Sequence, residues 1–288
     1  MNFDRIKIES RENFETIKES VIKSLAEAFK VHESLGASGE ELLEKNQFGE
    51  TALRVDIESE KAILNYLREL NFPIKVVSEE HGVTEIGNNP QYLGVLDGLD
   101  GSSVYKKERG TGRYSTMFGI FKTADPTYDD YMASGIMEHS TGRLFIASKN
   151  AGAYIILDGE STPIHSDART ELDPNMTINI DEYFDLNIKT FTEKLKGFKT
   201  QCLKASSAHY MSVANGEAGL ALECTRKGNL EIAIAYGLIK EAGGVIVDMN
   251  GNSIGDKKYL EFGQKGKQPI VTAANNELAQ ALLKHIKK

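Results

Sequence analysis

The segment Val95-Leu96-Asp97-Gly98-Leu99-Asp100-Gly101-Ser102-Ser103 sets two carboxylates three residues apart, where an apolar run gives way to a glycine-serine turn. A strand that reads Tyr-Leu-Gly-Val-Leu is buried, and ending it in two unpaired ionised groups costs several kcal/mol for each. A cation is the simplest partner. Oxygen ligands without a Cys/His cluster favour a hard divalent ion such as Mg²⁺ over zinc. Taken alone, the segment reads equally well as an ordinary Asp-Gly turn. A second acidic pair, Glu79-Glu80, ends the run Lys75-Val76-Val77-Ser78 in the same way. Two core strands that both finish in paired acids suggest one shared site. The Gly101-Ser102-Ser103 turn could aim backbone N–H groups at an anion, particularly if a helix begins there. A cation beside an amide nest implies a phosphoryl substrate.

The elements that must position these groups are legible from periodicity. From Glu12 to His32, Phe14, Ile17, Val21, Leu25, Ala28 and Phe29 recur at three and four, the stripe of an amphipathic helix. Residues 36–49 break the period, and Ile57, Ala62, Ile63, Tyr66, Leu67 and Leu70 resume it until Asn71 to Pro73 ends a second helix. Runs at Ile74 to Val77, Tyr92 to Leu96, Thr116 to Phe121, Ala133 to Met137, Leu144 to Ala147 and Ala153 to Leu157 predict a meandering, largely antiparallel sheet. After Pro174 strands and helices alternate: Met176 to Ile180 extended, Leu186 to Leu195 helical, Gly219 to Glu223 extended, Glu231 to Ala242 helical. Val245 to Val247 and Pro269 to Thr272 follow as strands, and Asn276 to His285 as a closing helix. A boundary near residues 160–175 would divide an α+β half, 1–165, from an α/β half, 166–288.

Composition narrows the function. The 288 residues carry 34 Lys+Arg against 42 Asp+Glu, a net charge of −8, which argues against a nucleic-acid polymer as partner. Forty per cent hydrophobic residues is ample for a core. No apolar run approaches the roughly 20 residues that span a bilayer, and Met1 to Ser10 is charged where a signal peptide is apolar, so a cytoplasmic protein with no membrane partner is expected. Cys202 and Cys224 read as small apolar residues. The six histidines show no metal-ligand spacing, and only His81 falls near the acidic pairs.

Three stretches together are highly specific: Val77-Ser78-Glu79-Glu80; Asp97-Gly98-Leu99-Asp100-Gly101-Ser102-Ser103; and Asn229-Leu230-Glu231 leading into Lys240-Glu241-Ala242-Gly243-Gly244. Over nearly its whole length the chain resembles the Mg²⁺-dependent, lithium-sensitive phosphomonoesterases that include inositol monophosphatase and fructose-1,6-bisphosphatase. The resemblance implies a layered α/β/α/β/α sugar-phosphatase fold of the α+β class, with the site where the two halves meet. It implies that Glu79, Asp97 and the Leu99 carbonyl hold one Mg²⁺ and that Asp97, Asp100 and Glu231 hold a second, with two or three ions in all. Asp56 and Ser102 would orient the attacking water, with Glu79 counted among the catalytic residues as well as the ligands. Asp100, Gly101, Ser102 and Ser103 would surround the phosphate, and Asn179, Ser206, Glu223, Arg226 and Lys227 the rest of the substrate. A homodimer or homotetramer is implied as well. Two positions depart from the pattern: Gly98 stands where the family usually has Pro, and Glu231 where the inositol branch usually has Asp.

The substrate expected is a small sugar or cyclitol phosphate, fructose 1,6-bisphosphate or myo-inositol monophosphate. Val-Ser-Glu-Glu, the double serine, Glu231 and Asn46-x-x-Gly49-Glu50 lean to the bisphosphatase branch, while Ser206-Ser207-Ala208 through Glu223 leans to the inositol branch. Arg226 and Lys227 could hold a second phosphate or could form a solvated basic turn. Arg109 to Tyr114 could close over the substrate, although a lone Gly-x-Gly is weak evidence. Tyr92, Tyr105 and Tyr114 read as packing residues. The alternatives are a 3′(2′),5′-bisphosphate nucleotidase and a non-catalytic, metal-dependent binding protein.

Overall fold

The computed structural model describes residues 3–46, 48–49 and 51–287; the side chains of residues 3–13, 44 and 227 lie outside that description. The chain opens with α1 (Phe3–Leu35), a small hairpin β1 (Leu42–Lys45) and β2 (Thr51–Leu53), and α2 (Arg54–Glu69). Then come β3 (Ile74–Ser78), β4 (Gly82–Ile86), β5 (Tyr92–Asp100), the short helix α3 (Ser102–Glu108), β6 (Ser115–Phe121), β7 (Tyr131–Glu138), β8 (Arg143–Ser148), β9 (Gly152–Leu157) and β10 (Glu160–Ile164). The remainder is β11 (Thr177–Ile180), α4 (Asp185–Asn187), β12 (Lys199–Gln201), α5 (Ser206–Ala214), β13 (Leu220–Cys224), α6 (Leu230–Glu241), β14 (Val245–Asp248), β15 (Pro269–Ala273) and α7 (Asn276–Ile286).

An eight-stranded sheet runs in the order β10-β9-β8-β7-β6-β5-β3-β4, antiparallel except where β3 and β5 lie parallel. A five-stranded sheet runs β12-β11-β13-β15-β14, with β11 parallel to both its neighbours. Strand alternation gives each sheet two apolar faces. On one side of the large sheet Leu96, Phe118, Ile120 and Ile146 pack with Ile17, Val21 and Leu25 of α1 and Ile63, Leu64 and Leu67 of α2. On the other side Val95, Met117, Ile136 and Phe145 share a core with Met211 of α5, Ile234 and Leu238 of α6, and Ala221 and Ile270 of the small sheet. Leu220, Leu222 and Val271 face the far side, beneath Leu278 and Leu282 of α7. The result is the layered α/β/α/β/α, α+β architecture that the family resemblance implied, with α5 and α6 as its middle layer.

The strands expected in both halves form. Two that periodicity did not single out, β4 and β10, are the edges of the large sheet, where exposed residues alternate with few buried ones and the apolar signal is thin. The helix expected over Leu186 to Leu195 is a broken one, α4 running into a π-helical turn at Ile188–Thr192. Among the described residues no helix is long and apolar enough to cross a membrane.

Candidate active site

β5 carries the acids to the carboxyl end of the large sheet. Asp97 is 2 % exposed, and its Oδ1 accepts the Leu99 N–H at 3.0 Å. Asp100 lies where the register with β6 slips between Asp97 and Asp100, a local irregularity at the strand end. Its Oδ2 accepts the Ser207 N–H at 2.7 Å and the Ser207 hydroxyl. Gly101 then adopts φ 90°, a conformation glycine reaches without strain, and caps α3. The Gly101 carbonyl accepts the N–H groups of Val104 and Tyr105, and the Ser102 hydroxyl donates to the Leu99 carbonyl at 3.2 Å.

The third acid arrives from the other half of the chain. Asn229, at φ 59°, turns the chain into α6 so that Glu231 falls in the first helical turn, where a negative charge suits the helix dipole. Oxygens of Asp97, Asp100 and Glu231 lie within 4.8 Å of one another, all three side chains buried. Burial first, then the charges of Glu79, Asp100, Glu231 and Asp56, push the Asp97 carboxyl well above the ordinary carboxylate range. Three buried oxygen-only donors this close fit a hard divalent cation, which would remove the repulsion they now share.

α2 brings Asp56 to the same cleft. Its carboxylate accepts the Leu53 N–H at 3.4 Å, and burial followed by Glu79, Glu80 and Glu60 raises its pKa well above normal. Half-buried Glu79 and Glu80 follow β3, and Asn46 Nδ2 donates to Oε1 of each at 3.1 Å. The cleft is lined by Asp56, Glu79, Asp97, Leu99, Asp100, Gly101, Ser102 and Ser103 on one side and by Ser206, Arg226 and Glu231 on the other. Its free volume is about 190 Å³.

Arg226 is not a solvated turn residue. Its Nε lies 3.3 Å from Glu231 Oε1, its Nη2 donates to Ser206 Oγ at 2.7 Å, and its guanidinium sits 5.1 Å from the Phe184 ring centroid. Glu223 lies beneath the cleft rather than on its wall: it accepts from Ser206 Oγ at 3.4 Å and faces His209 Nδ1. The Leu203 N–H donates to His209 Nε2 at 3.0 Å, so the ring keeps its proton on Nδ1, toward Glu223.

Some expected residues lie elsewhere. Asn179 does not line the cleft; fully buried on β11, it accepts from Gln201 Nε2 at 2.9 Å, two residues short of Asp181, which does line it. Arg109 to Tyr114 does not reach the cleft either. Arg109 pairs with Glu40, and Arg113 is held by buried Glu138 at 2.6 Å and by Glu217 at 2.9 Å. Tyr105 and Tyr114 are buried packing residues, as expected. The Lys227 side chain and Glu50 fall outside the described residues. Sequence reasoning passed over Asp181, Tyr183, Lys204 and His209 in the cleft wall, and Glu60 behind it. Only Glu60 left a signal: it follows Asp56 by four, on the same face of a helix.

A family model described as the inositol monophosphatase family matches residues 9–288. A fructose-1,6-bisphosphatase/inositol-1-monophosphatase of Methanocaldococcus jannaschii is 28% identical over 228 residues, 78% of this chain and 81% of the relative. A bifunctional NADP phosphatase/NAD kinase of Methanococcus maripaludis is 29% identical over 221 residues, covering 72% of this chain and 38% of that longer protein. Among solved structures, the extragenic suppressor protein suhB from Bartonella henselae superposes with a TM-score of 0.76 at 17% identity, over 95% of this chain and 99% of that one.

Proposed function

The chain belongs to the inositol monophosphatase family and is a phosphoric monoester hydrolase, and from that premise we propose that it hydrolyses a small sugar or cyclitol phosphate with Mg²⁺ held by Glu79, Asp97, the Leu99 carbonyl, Asp100 and Glu231. The observation that carries this reading is the convergence of Asp97, Asp100 and Glu231, drawn from two distant parts of the chain, on one buried point beside Asp56 and Glu79. When bound, Mg²⁺ supplies positive charge for the phosphate and leaving oxygen and lowers the pKa of an attacking water. Asp97, at the centre of the acids, would be the carboxylate common to the ions held there. Asp56 would accept the water's proton and Ser102 would fix the water's orientation, both side chains lining the cleft beside the acids. The amides of Gly101 and Ser102 meet the phosphate oxygens. Two or three ions take part.

The rest of the substrate meets Ser206, Arg226 and Lys227, with Glu223 steadying Ser206 and Arg226 charged toward a second phosphate. A free volume of about 190 Å³ favours a substrate smaller than the drug-sized ligands of roughly 300–1,000 Å³ pockets. Residues 1–165 thus supply most of the ligands and residues 166–288 the pocket and Glu231. Assembly as a homodimer or homotetramer in the cytoplasm belongs to the same reading. The relative named an NADP phosphatase supports a second possibility, removal of a phosphate from a nucleotide ribose.

The test is phosphate release from fructose 1,6-bisphosphate, inositol 1-phosphate and adenosine 3′,5′-bisphosphate, with and without Mg²⁺. The expected result is Mg²⁺-dependent turnover with kcat/KM at least about tenfold higher for one or both sugar-type substrates, equivalent to about 1.4 kcal/mol. Preference for the nucleotide would select the second possibility, and no release from any would overturn both.

A further inference from the structure

Glu60 is fully buried at 0 % exposure, and among the described residues no Lys or Arg pairs with it. A buried carboxylate with no Lys or Arg beside it needs strong hydrogen-bond donors to exist at all. It has them from one source. Its Oε1 accepts the N–H groups of Glu79 at 3.0 Å and Glu80 at 3.1 Å. Its Oε2 accepts those of Glu80 at 3.2 Å and His81 at 3.0 Å, and it faces His81 Nδ1 at 2.8 Å. Every bond is spent on the three-residue turn that begins with Glu79.

That turn has a reason to move away. Glu79 and Glu80 share the region with Asp56 and Asp97, and like charges in a low-dielectric cleft repel. Amide dipoles aimed at the Glu60 carboxylate offset this repulsion, and they grip the turn through its backbone, while the Glu79 side chain lines the cleft. α2 reaches the turn because β5 yields space to it. A Cβ on Gly98 would sit 2.5 Å from the Asp56 carbonyl oxygen and 2.9 Å from Glu60 Cγ, so Gly98 permits the close approach.

We propose that Glu60 is a positioning residue that holds the Glu79 turn in its ligating position before any cation arrives, with Gly98 as the clearance that lets it do so. The proposal rests on the reading of Glu79 as a ligand. Removing a partner behind a metal ligand typically lowers metal affinity about 10–100-fold.

The experiment compares wild type with Glu60→Gln, which keeps one oxygen acceptor but turns an NH₂ toward the remaining amides. Amide hydrogen exchange is measured on metal-free protein, and Mg²⁺ binding by calorimetry. Protection of the 79–81 amides is expected to fall about tenfold while that of residues 93–96 in β5 holds. The apparent Kd for Mg²⁺ rises about tenfold, and kcat at saturating Mg²⁺ stays within about twofold of wild type. Unchanged exchange and Kd in a folded variant would overturn the proposal, as would protection lost equally across β5, the mark of a merely structural role. Should Glu60→Gln fail to fold, His81→Ala removes one of the five contacts and is expected to raise Kd about threefold; an unchanged Kd there overturns the proposal as well. Wild type that binds no Mg²⁺ would sink the metal reading alone, because the exchange measurement still decides whether Glu60 holds the turn.

Discussion

Asp97 sits 2 % exposed among four other carboxylates, and the sign of its raised pKa has a direct consequence for stability. Between the ordinary carboxylate pKa near 3.8 and the raised one, the native state binds a proton that the unfolded chain does not. Metal-free protein therefore loses stability as pH rises through that window, and Mg²⁺ binds more tightly as the proton leaves. Asp97→Asn is expected to abolish turnover yet make the metal-free fold more stable at pH 8 by about 1–4 kcal/mol, with the gain shrinking toward pH 4. Urea melts in chelator at both pH values check this; equal stabilities would contradict the assignment. His32 carries the opposite sign. Burial lowers its pKa to about 3, and it stacks on His139 at 3.4 Å between ring centroids, where His139 is also held neutral by burial. The unfolded chain takes up a proton below about 6.5 that the native His32 refuses, so stability is lost as pH falls through that value toward 3. His32→Phe keeps the stack, and its advantage over wild type is expected to widen by about 2–3 kcal/mol between pH 7.5 and 4.5. A constant difference between the two would show that His32 does not carry this acid sensitivity.

At the scale of elements, α6 has two tasks: it fills the middle layer and delivers Glu231. Its packing distance is set by glycines. A Cβ on Gly237 would lie 2.7 Å from Tyr131 Cδ2 and closer still to Ser134 Oγ, both on β7. On β6, a Cβ on Gly119 would meet Ile234 Cα at an ordinary 3.5 Å. Gly237→Ala is expected to cost about 1–3 kcal/mol and to raise the Mg²⁺ requirement by displacing Glu231, whereas Gly119→Ala costs under about 1 kcal/mol. Thermal melts and Mg²⁺ titrations of the pair test it, and two variants with equal stability would refute the close-packing argument. The periodicity of α6 was legible, because Ile234, Leu238 and Ile239 repeat on helical spacing. Its burial on both sides was not: a helix enclosed between two sheets is apolar nearly all round.

For the whole molecule, the acids converge where elements from the N-terminal and C-terminal parts of the chain meet, so a cation there ties sequence-distant parts together. Binding to the native state alone adds RT ln(1 + [L]/Kd), about 2.7 kcal/mol at 100-fold excess over Kd. Saturating Mg²⁺ is therefore expected to raise Tm by roughly 5–10 °C over chelator-treated protein. Asp97→Asn should show little of this shift; an equal shift in the variant would place the stabilising ion elsewhere. The acid pairs at Glu79-Glu80 and Asp97-x-x-Asp100 were legible because strand ends and turn chemistry are local, and so were the helical stripe of α1 and most strands of the large sheet. Those features depend on neighbours in the chain, and the sequence by itself determined them. What Arg226 faces, why Asn179 stops short of the cleft and which carboxylate grips the Glu79 turn were decided only by tertiary structure. Arg226 meets Ser206, Asn179 meets Gln201, and Glu60 meets Glu79 at separations of 20, 22 and 19 residues, and no local pattern encodes pairings that arise when packed layers bring separate elements within hydrogen-bond reach.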